Sequence, residues 1–339
     1  MRVSVALAAR NSERYLGELL ESVGRQTVPP SELVACDDAS EDSTLQLLHE
    51  FAMVAPFPVR IERFPSRCGH VAAFMDAARR CQGEAIAFCD QDDVWSEDKL
   101  EVCVRELERS GANLVLHAAR VVDAELRDLG ATWPPIEETR LVPALGLTGL
   151  EMHEPGMAMV FRSGILSVAD FETRPPSRYG LGRQMLHDEW VAFLAGVIGP
   201  IKLVAEPLAL YRQHDDNESG GWFGGTRELS LRPAVGNYLQ AAEHTVACAE
   251  YLEAAHSEDD AIRERLVEGA RAYRRASENW SLRATLYDSR DRRRRARLLR
   301  RLVSGRAYRA RDAGGFGRTA LAKDIVSGVA MRMAGGADD

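Results

Sequence analysis

No stretch of the chain approaches the roughly 18 consecutive apolar residues that a membrane-spanning helix requires. The first apolar run, Val3 to Ala9, is short and has neither a basic region before it nor a cleavage site behind it. The protein is therefore expected to stay in the cytoplasm. Six cysteines, Cys36, Cys68, Cys81, Cys89, Cys103 and Cys248, show no CxxC spacing and no metal-site pattern. Several lie in apolar runs, which reads as buried thiols in a reducing compartment rather than a disulfide framework.

What is present is size and a lopsided charge. A chain of 339 residues exceeds the usual span of one domain, so one large domain with a smaller appendage is the first expectation. The net charge of −8 conceals eleven arginines between Arg290 and Arg311 against one acid, Asp291. That block carries +10, which leaves −18 on everything else. It is either a contact surface for phosphates or anionic lipid at the inner face of a membrane, or a solvated helix face that meets the acidic main domain or a second subunit of a homo-oligomer. The block is short of large apolar residues, which favours the second reading. No nucleic-acid partner is expected.

The first half alternates strand-like and helix-like segments. Val3 to Ala9, Leu33 to Cys36, Val59 to Arg63 and Ala85 to Cys89 read as strands. Between them lie a helical segment with Tyr15, Leu16, Leu19, Leu20 and Val23, a second with Leu45, Leu47, Leu48 and Phe51, and a third from Val71 to Cys81. Ser12 and Ser40 are the expected caps of the first two. Such repetition predicts an α/β domain with a mostly parallel sheet buried on both faces. The middle offers strand-like Asn113 to Ala119 and Met157 to Phe161, a helix from about Gly182 to Val197, and apolar segments at Ile201 to Val204 and Leu208 to Tyr211. Past the glycine-rich GGWFGG, helical periodicity continues without strands.

Ligands in such sheets bind at the carboxyl ends of the strands, and the acids fall there. The second strand ends in Asp37 and Asp38; the fourth runs into Asp90, Asp92 and Asp93. Like charges that close repel unless a cation lies among them. Hard cations such as Mn2+ or Mg2+ take oxygen ligands and share them with substrate phosphates, so one or two carboxylates suffice. The plainer reading is an acidic turn ahead of a helix near Ser96. Asp37 and Asp38 either cap a helix or accept from a nucleobase or ribose. Asp188, at a helix start, is either a cap or a general base, because the helix dipole there favours the carboxylate. His214, opening a polar loop, is a surface residue or a metal ligand.

Taken in order, VSVALAARNSERYLGELLESVGRQT, VACDDAS, AFCDQDDVWSEDKL, LHDEW and YRQHDDN resemble the family 2 glycosyltransferases of the GT-A fold, over roughly residues 1 to 220. DQDDVW with its following KL, HDEW and YRQH resemble the rhamnosyltransferase-like branch. The resemblance implies a GT-A (nucleotide-diphospho-sugar transferase, Rossmann-like) mixed sheet flanked by helices. It implies that Asp37 contacts the nucleobase, that Asp38 supports that loop, and that Asp90 lies near the ribose. Asp92 and Asp93 would hold Mn2+ or Mg2+ against the donor diphosphate, with His214 completing the metal site. Asp188 would be the base of an inverting transfer, without a covalent enzyme intermediate, from a nucleoside diphosphate sugar to a hydroxyl acceptor: a glycan, a lipid-linked precursor or a natural product.

Two positions depart from the pattern. Ala9 and Arg10 precede Asn11 where relatives carry a small hydroxyl residue and an aromatic, and Arg67 stands where they carry Asn. The first change alters the nucleotide-side wall and lets Arg10 meet a phosphate. Gly156 and Met157, with His187, Glu189 and Trp222, mark the expected donor-sugar and acceptor region; Trp95 and Trp190 are expected to pack. The expected organisation is a transferase domain over 1–225, a helical region over 226–311 and a loosely ordered or loosely helical tail over 312–339. A nucleotide-sugar pyrophosphorylase is the rival enzyme, but AARNSERYL is not its glycine-rich phosphate loop. A non-catalytic sugar-nucleotide or glycan-binding module is the rival outside catalysis.

Overall fold

The computed structural model describes residues 1–146, 154–179, 182–215, 217, 235–310 and 314–326. Four short apolar runs each form a strand: β1 (Val3–Ala9), β2 (Glu32–Asp37), β3 (Val59–Arg63) and β4 (Ala85–Cys89). Helices α1 (Leu16–Gly24), α2 (Thr44–Val54) and α3 (His70–Arg80) connect them. β1, β2 and β4 are buried along their whole length. A strand covered on both faces needs an unbroken apolar run rather than an alternating one.

The acidic turn leads into β5 (Val94–Trp95) and α4 (Lys99–Ser110), followed by β6 (Leu114–Val122), β7 (Asp128–Trp133), β8 (Arg140–Val142) and β9 (Met159–Arg162). Helix α5 (His187–Ile198) and the long strand β10 (Ile201–Arg212) complete the sheet region. Strand order is β3-β2-β1-β4-β9-β6-β10-β5, with β7 beside β6 and β8 beside β10. β1 to β4 are parallel, whereas β9 runs antiparallel to both β4 and β6. The sheet is mixed.

This topology decides which ends meet. Because β9 reverses between β4 and β6, β6 is parallel to β4, and β10, parallel to β6, points the same way. The carboxyl ends of β1, β2, β4 and β10 and the amino end of β9 therefore share one edge. The two apolar segments expected at Ile201 to Val204 and Leu208 to Tyr211 are one strand. Pro207 has no N–H to give, and the register of β10 shifts on either side of it. Past that irregularity, Ala209 and Leu210 pair with Trp95 and Val94.

The expected caps differ from those found. α1 begins at Leu16 and α2 at Thr44, and neither Ser12 nor Ser40 caps them. Both serines instead join the first two loops: Ser12 N–H donates to Thr44 Oγ1 at 2.7 Å, and Asn11 N–H to Ser40 Oγ at 3.1 Å. The helix expected from about Gly182 begins at His187.

Helices α6 (Val235–Ala254), α7 (Asp260–Asp288), α8 (Arg292–Ser304) and α9 (Gly317–Lys323) follow. They are not a detached appendage. Cys248, Tyr251, Leu252, Leu266, Ala270 and Tyr273 belong to the same core as the sheet, and Trp190 Nε1 donates to Tyr251 Oη at 2.8 Å. Tyr238, Trp280, Leu298, Leu302, Tyr308 and Phe316 build a second, smaller core at the far end. Arg283 lies within it, over the rings of Tyr238 and Phe316, and pairs with fully buried Asp324 at 2.8 Å. Asp324 lies in the segment expected to be loosely ordered.

Candidate active site

At the shared edge, the ends of β1 and β2 are laced together. Asp37 is buried, receives the Ser40 amide on both oxygens at 3.3 Å, and has Arg63 at 3.4 Å. Asp38 accepts the amides of Cys68 at 2.6 Å and Gly69 at 2.9 Å. Burial pushes its carboxyl up, but hydrogen bonds from Cys68 and Gly69 outweigh this and hold it below the usual carboxylate range. The loop ahead of α3 is thus tied to the end of β2.

Arg10 donates to the carbonyls of Asp38 at 2.6 Å and Ala39 at 3.3 Å, so its guanidinium is committed to this loop. Its own amide donates to Gln91 Oε1 at 2.6 Å, which joins the end of β1 to the acidic turn. Asn11, with φ of 45°, accepts the Glu41 amide at 2.9 Å. Ala9 is buried and its carbonyl accepts the Asp38 amide. These residues form the frame of the expected nucleotide side.

The acidic turn divides its work. Asp92 Oδ2 meets His214 Nε2 at 2.9 Å and the Asn217 amide group at 3.2 Å. The His214 ring packs on Tyr15 with centroids 4.7 Å apart. Asp93 is fully buried: Oδ1 accepts the Arg212 amide at 3.1 Å, while Oδ2 has no hydrogen-bond partner among the described residues. Burial first, then the charges of Asp92 and Asp90, push its carboxyl far above the usual range. Asp90 is pushed up to about 7 by burial and by Asp92 and Asp188, with His70 and Lys99 opposing.

Arg212 fastens this turn from behind. Its Nε donates to the Asp92 carbonyl at 2.7 Å, Nη1 to the Ala124 carbonyl at 2.6 Å, and Nη2 to Glu18. Lys99, also fully buried, donates to the Met157 carbonyl at 2.7 Å and lies 3.7 Å from the centre of the Trp95 ring. Burial lowers its ammonium to about 8, against the pull of neighbouring thiols and of Asp93 and Asp90.

Opposite stands Asp188, in the first turn of α5. It accepts the Glu189 amide at 2.8 Å and the Gly156 amide. Burial raises its carboxyl, and these amides with His70 limit the rise. Gly156 packs closely here: a Cβ would lie 3.1 Å from His187 Nε2, a tight contact, and 3.8 Å from Asp188 Cβ, an ordinary one. Glu189 turns back to the Leu186 amide at 3.1 Å and faces Arg178. His187 stacks on Phe74 at 4.2 Å with neither ring nitrogen hydrogen-bonded among the described residues; burial keeps it neutral. Met157, His187 and Glu189 are therefore buried supports of the expected sugar region rather than its open wall. Trp222 and the rest of GGWFGG lie outside the described residues.

Three side chains emerge that motif reading passed over. Gln91 bridges two loops, Arg212 anchors the acidic turn, and His70, at the start of α3, acts on both Asp90 and Asp188. The only signal was position: His70 follows Gly69 at the end of the β3 loop.

A divalent ion suits this donor set. Among the described residues no three of Asp, Glu, His and Cys converge to hold one by themselves. A carboxylate and an imidazole already meet at Asp92 and His214, however, and the unpartnered Oδ2 of buried Asp93 belongs to the same turn. Mn2+ or Mg2+ that takes its remaining ligands from a diphosphate needs no larger protein cage.

Residues 4–166 match the family described as Glycosyl transferase family 2. The chain is a glycosyltransferase. A Nostoc protein named as an uncharacterised glycosyltransferase is 27% identical over 239 residues, covering 70% of this chain and 72% of its own. The poly(ribitol-phosphate) beta-glucosyltransferase of Bacillus spizizenii is 34% identical over 102 residues, 30% of this chain and 16% of its own. Among solved structures, residues 1–349 of S. aureus TarS, in complex with UDP-GlcNAc, superpose with a TM-score of 0.54 at 17% identity, covering 93% of this chain and 89% of that one. At that identity the likeness concerns the fold, and the fold of this glycosyltransferase is GT-A.

Proposed function

We propose that the protein is a metal-dependent, inverting glycosyltransferase that moves a sugar from a nucleoside diphosphate to a hydroxyl acceptor. The observation that carries this is the meeting of Asp90, Asp92 and Asp93 with His214 and Asp188 at one edge of the sheet. These residues come from the turn after β4, the loop after β10 and the first turn of α5, up to 124 positions apart.

The chemistry follows from their placement. The acceptor oxygen forms a bond to the anomeric carbon while the bond from that carbon to the diphosphate oxygen breaks, and its electron pair leaves with the nucleoside diphosphate. The acceptor proton goes to Asp188, whose raised basicity suits the task. A divalent ion held by Asp92 and His214, with Asp93 beside them, would supply Lewis-acid stabilisation of the departing diphosphate. Asp37 and Asp38, fixed by Ser40, Arg63, Cys68 and Gly69, frame the nucleobase side, with Asp90 near the ribose. Arg10 serves that frame through the Asp38 and Ala39 carbonyls.

The names of the similar proteins suggest donors to test first. UDP-GlcNAc is bound by TarS, and the resemblance of the DQDDVW and YRQH segments to the rhamnosyltransferase-like branch suggests a dTDP-deoxysugar. A polyol phosphate, as in the Bacillus enzyme's name, joins glycans, lipid-linked precursors and natural products as a candidate acceptor. Six free cysteines, four of them buried, fit action in the reducing cytoplasm. The decisive measurement is thermal stabilisation by UDP-, GDP- and dTDP-sugars with and without Mn2+, followed by donor turnover. A metal-dependent shift with one donor supports the reading; no shift and no turnover with any of them ends it.

A further inference from the structure

We propose that the outward face of α8 is a docking surface for an anionic phospholipid bilayer. One side of this helix is fixed in the smaller core by Arg295, Leu298 and Leu302, all buried. At 100° per residue, Arg293, Arg297 and Arg300 fall together on the opposite side, with Arg294 and Arg301 flanking them, and all five are exposed. They span about 12 Å of helix at 1.5 Å per residue. None makes an ion pair or a side-chain hydrogen bond among the described residues, so the acidic main domain does not neutralise them. Val303, on the same helix, is 49% exposed.

The shape and chemistry of this face select its partner. Guanidinium groups pair with phosphate oxygens through two parallel hydrogen bonds, and a row held rigid by a packed underside loses little freedom on binding. The face is one side of a single helix. It suits a plane of phosphates. The −18 carried by the rest of the chain orients the molecule, with α8 toward a negative surface and the acidic bulk away from it. No helix among the described residues is long and apolar enough to cross a membrane, so attachment here is peripheral. This inference stands apart from the transfer reaction, since vesicle binding is read without donor or acceptor.

The test is flotation of the full chain with vesicles of phosphatidylcholine alone or mixed with phosphatidylglycerol. Binding is expected to the mixed vesicles only, and to vanish near 1 M salt, where the Debye length is about 3 Å. Arg293→Gln/Arg297→Gln/Arg300→Gln should weaken it about a hundredfold, at roughly fivefold per charge near the surface. The charge-matched Arg109→Gln/Arg271→Gln/Arg275→Gln, at exposed positions elsewhere, should bind as the parent does. Equal binding to neutral vesicles, an unaffected α8 variant or an equal loss in the control overturns the proposal. Full displacement by soluble polyphosphate at matched phosphate overturns it in favour of a phosphate polymer. A parent dimer that the α8 substitutions disperse, with no vesicle binding, overturns it in favour of a second copy.

Discussion

His214 Nε2 lies 2.9 Å from Asp92 Oδ2, a contact across 122 residues of sequence that joins the loop after β10 to the turn after β4. The pair sets two donors of different chemistry at one point, and Asn217 holds the same carboxylate oxygen. His214→Ala is expected to raise the Mn2+ concentration needed for half-maximal turnover by about tenfold or more. A Mn2+ titration that overlays the parent's would remove His214 from the metal site.

Asp188 should be separable from donor binding. Asp188→Asn keeps the side chain's shape at the start of α5 but removes the base, so turnover should fall by about 100- to 10,000-fold. Donor affinity, read by calorimetry, should stay within about twofold. If affinity and turnover fall together, Asp188 serves the structure rather than the proton.

Lys99 connects the two halves of the site. Its ammonium holds the Met157 carbonyl, next to the Gly156 amide that Asp188 accepts, and its charge acts on Asp90 and Asp93. Lys99→Met strands that carbonyl and leaves the acids less compensated, at a cost of roughly 2–4 kcal/mol. Urea unfolding measures it, and a change below about 0.5 kcal/mol would show that the ammonium is dispensable.

His244 predicts part of the acid sensitivity. It lines a cavity of ≈ 40 Å³ with Arg178, Glu189 and Tyr273, and burial lowers its ring to about 4 although the Pro176 carbonyl favours the proton. The unfolded chain, with a histidine near 6.5, binds that proton first, so folding loses stability as pH falls from about 6.5 toward 4. At pH 5 this loss is about 2 kcal/mol relative to pH 8. His244→Gln should shrink the parent's drop by that amount, and equal drops in both proteins would show the ring to be protonated in the fold.

How much of this was legible depended on whether a residue's partner was near in sequence. β1, β2 and β4 announced themselves, because each is a wholly buried apolar run and two of them meet acids at the edge where ligands bind. Ser12 and Ser40 looked like local caps, yet their hydrogen bonds reach across to loops about 30 residues away. Periodicity carries no such information. Pro207 split one strand into two apparent segments, since a residue without an amide breaks the register but not the strand. Lys99 and His70 had no motif of their own; their roles come from carboxylates supplied by other elements. The C-terminal helices read correctly as helices, but their share of the sheet's core rests on contacts such as Trp190 with Tyr251 that only folding creates.

Asp324 gives the end of the chain a weight out of proportion to its length. Its two oxygens are shared among Arg283, Tyr287 and Tyr308, and Arg283 is ringed by Tyr238, Trp280 and Phe316. A stop codon or protease cut ahead of it would abandon a cation inside a nest of aromatic rings and take from Tyr287 and Tyr308 the carboxylate to which both donate. The segment acts as a keystone, so the platform on which the arginine face of α8 rests closes only after synthesis has passed Asp324.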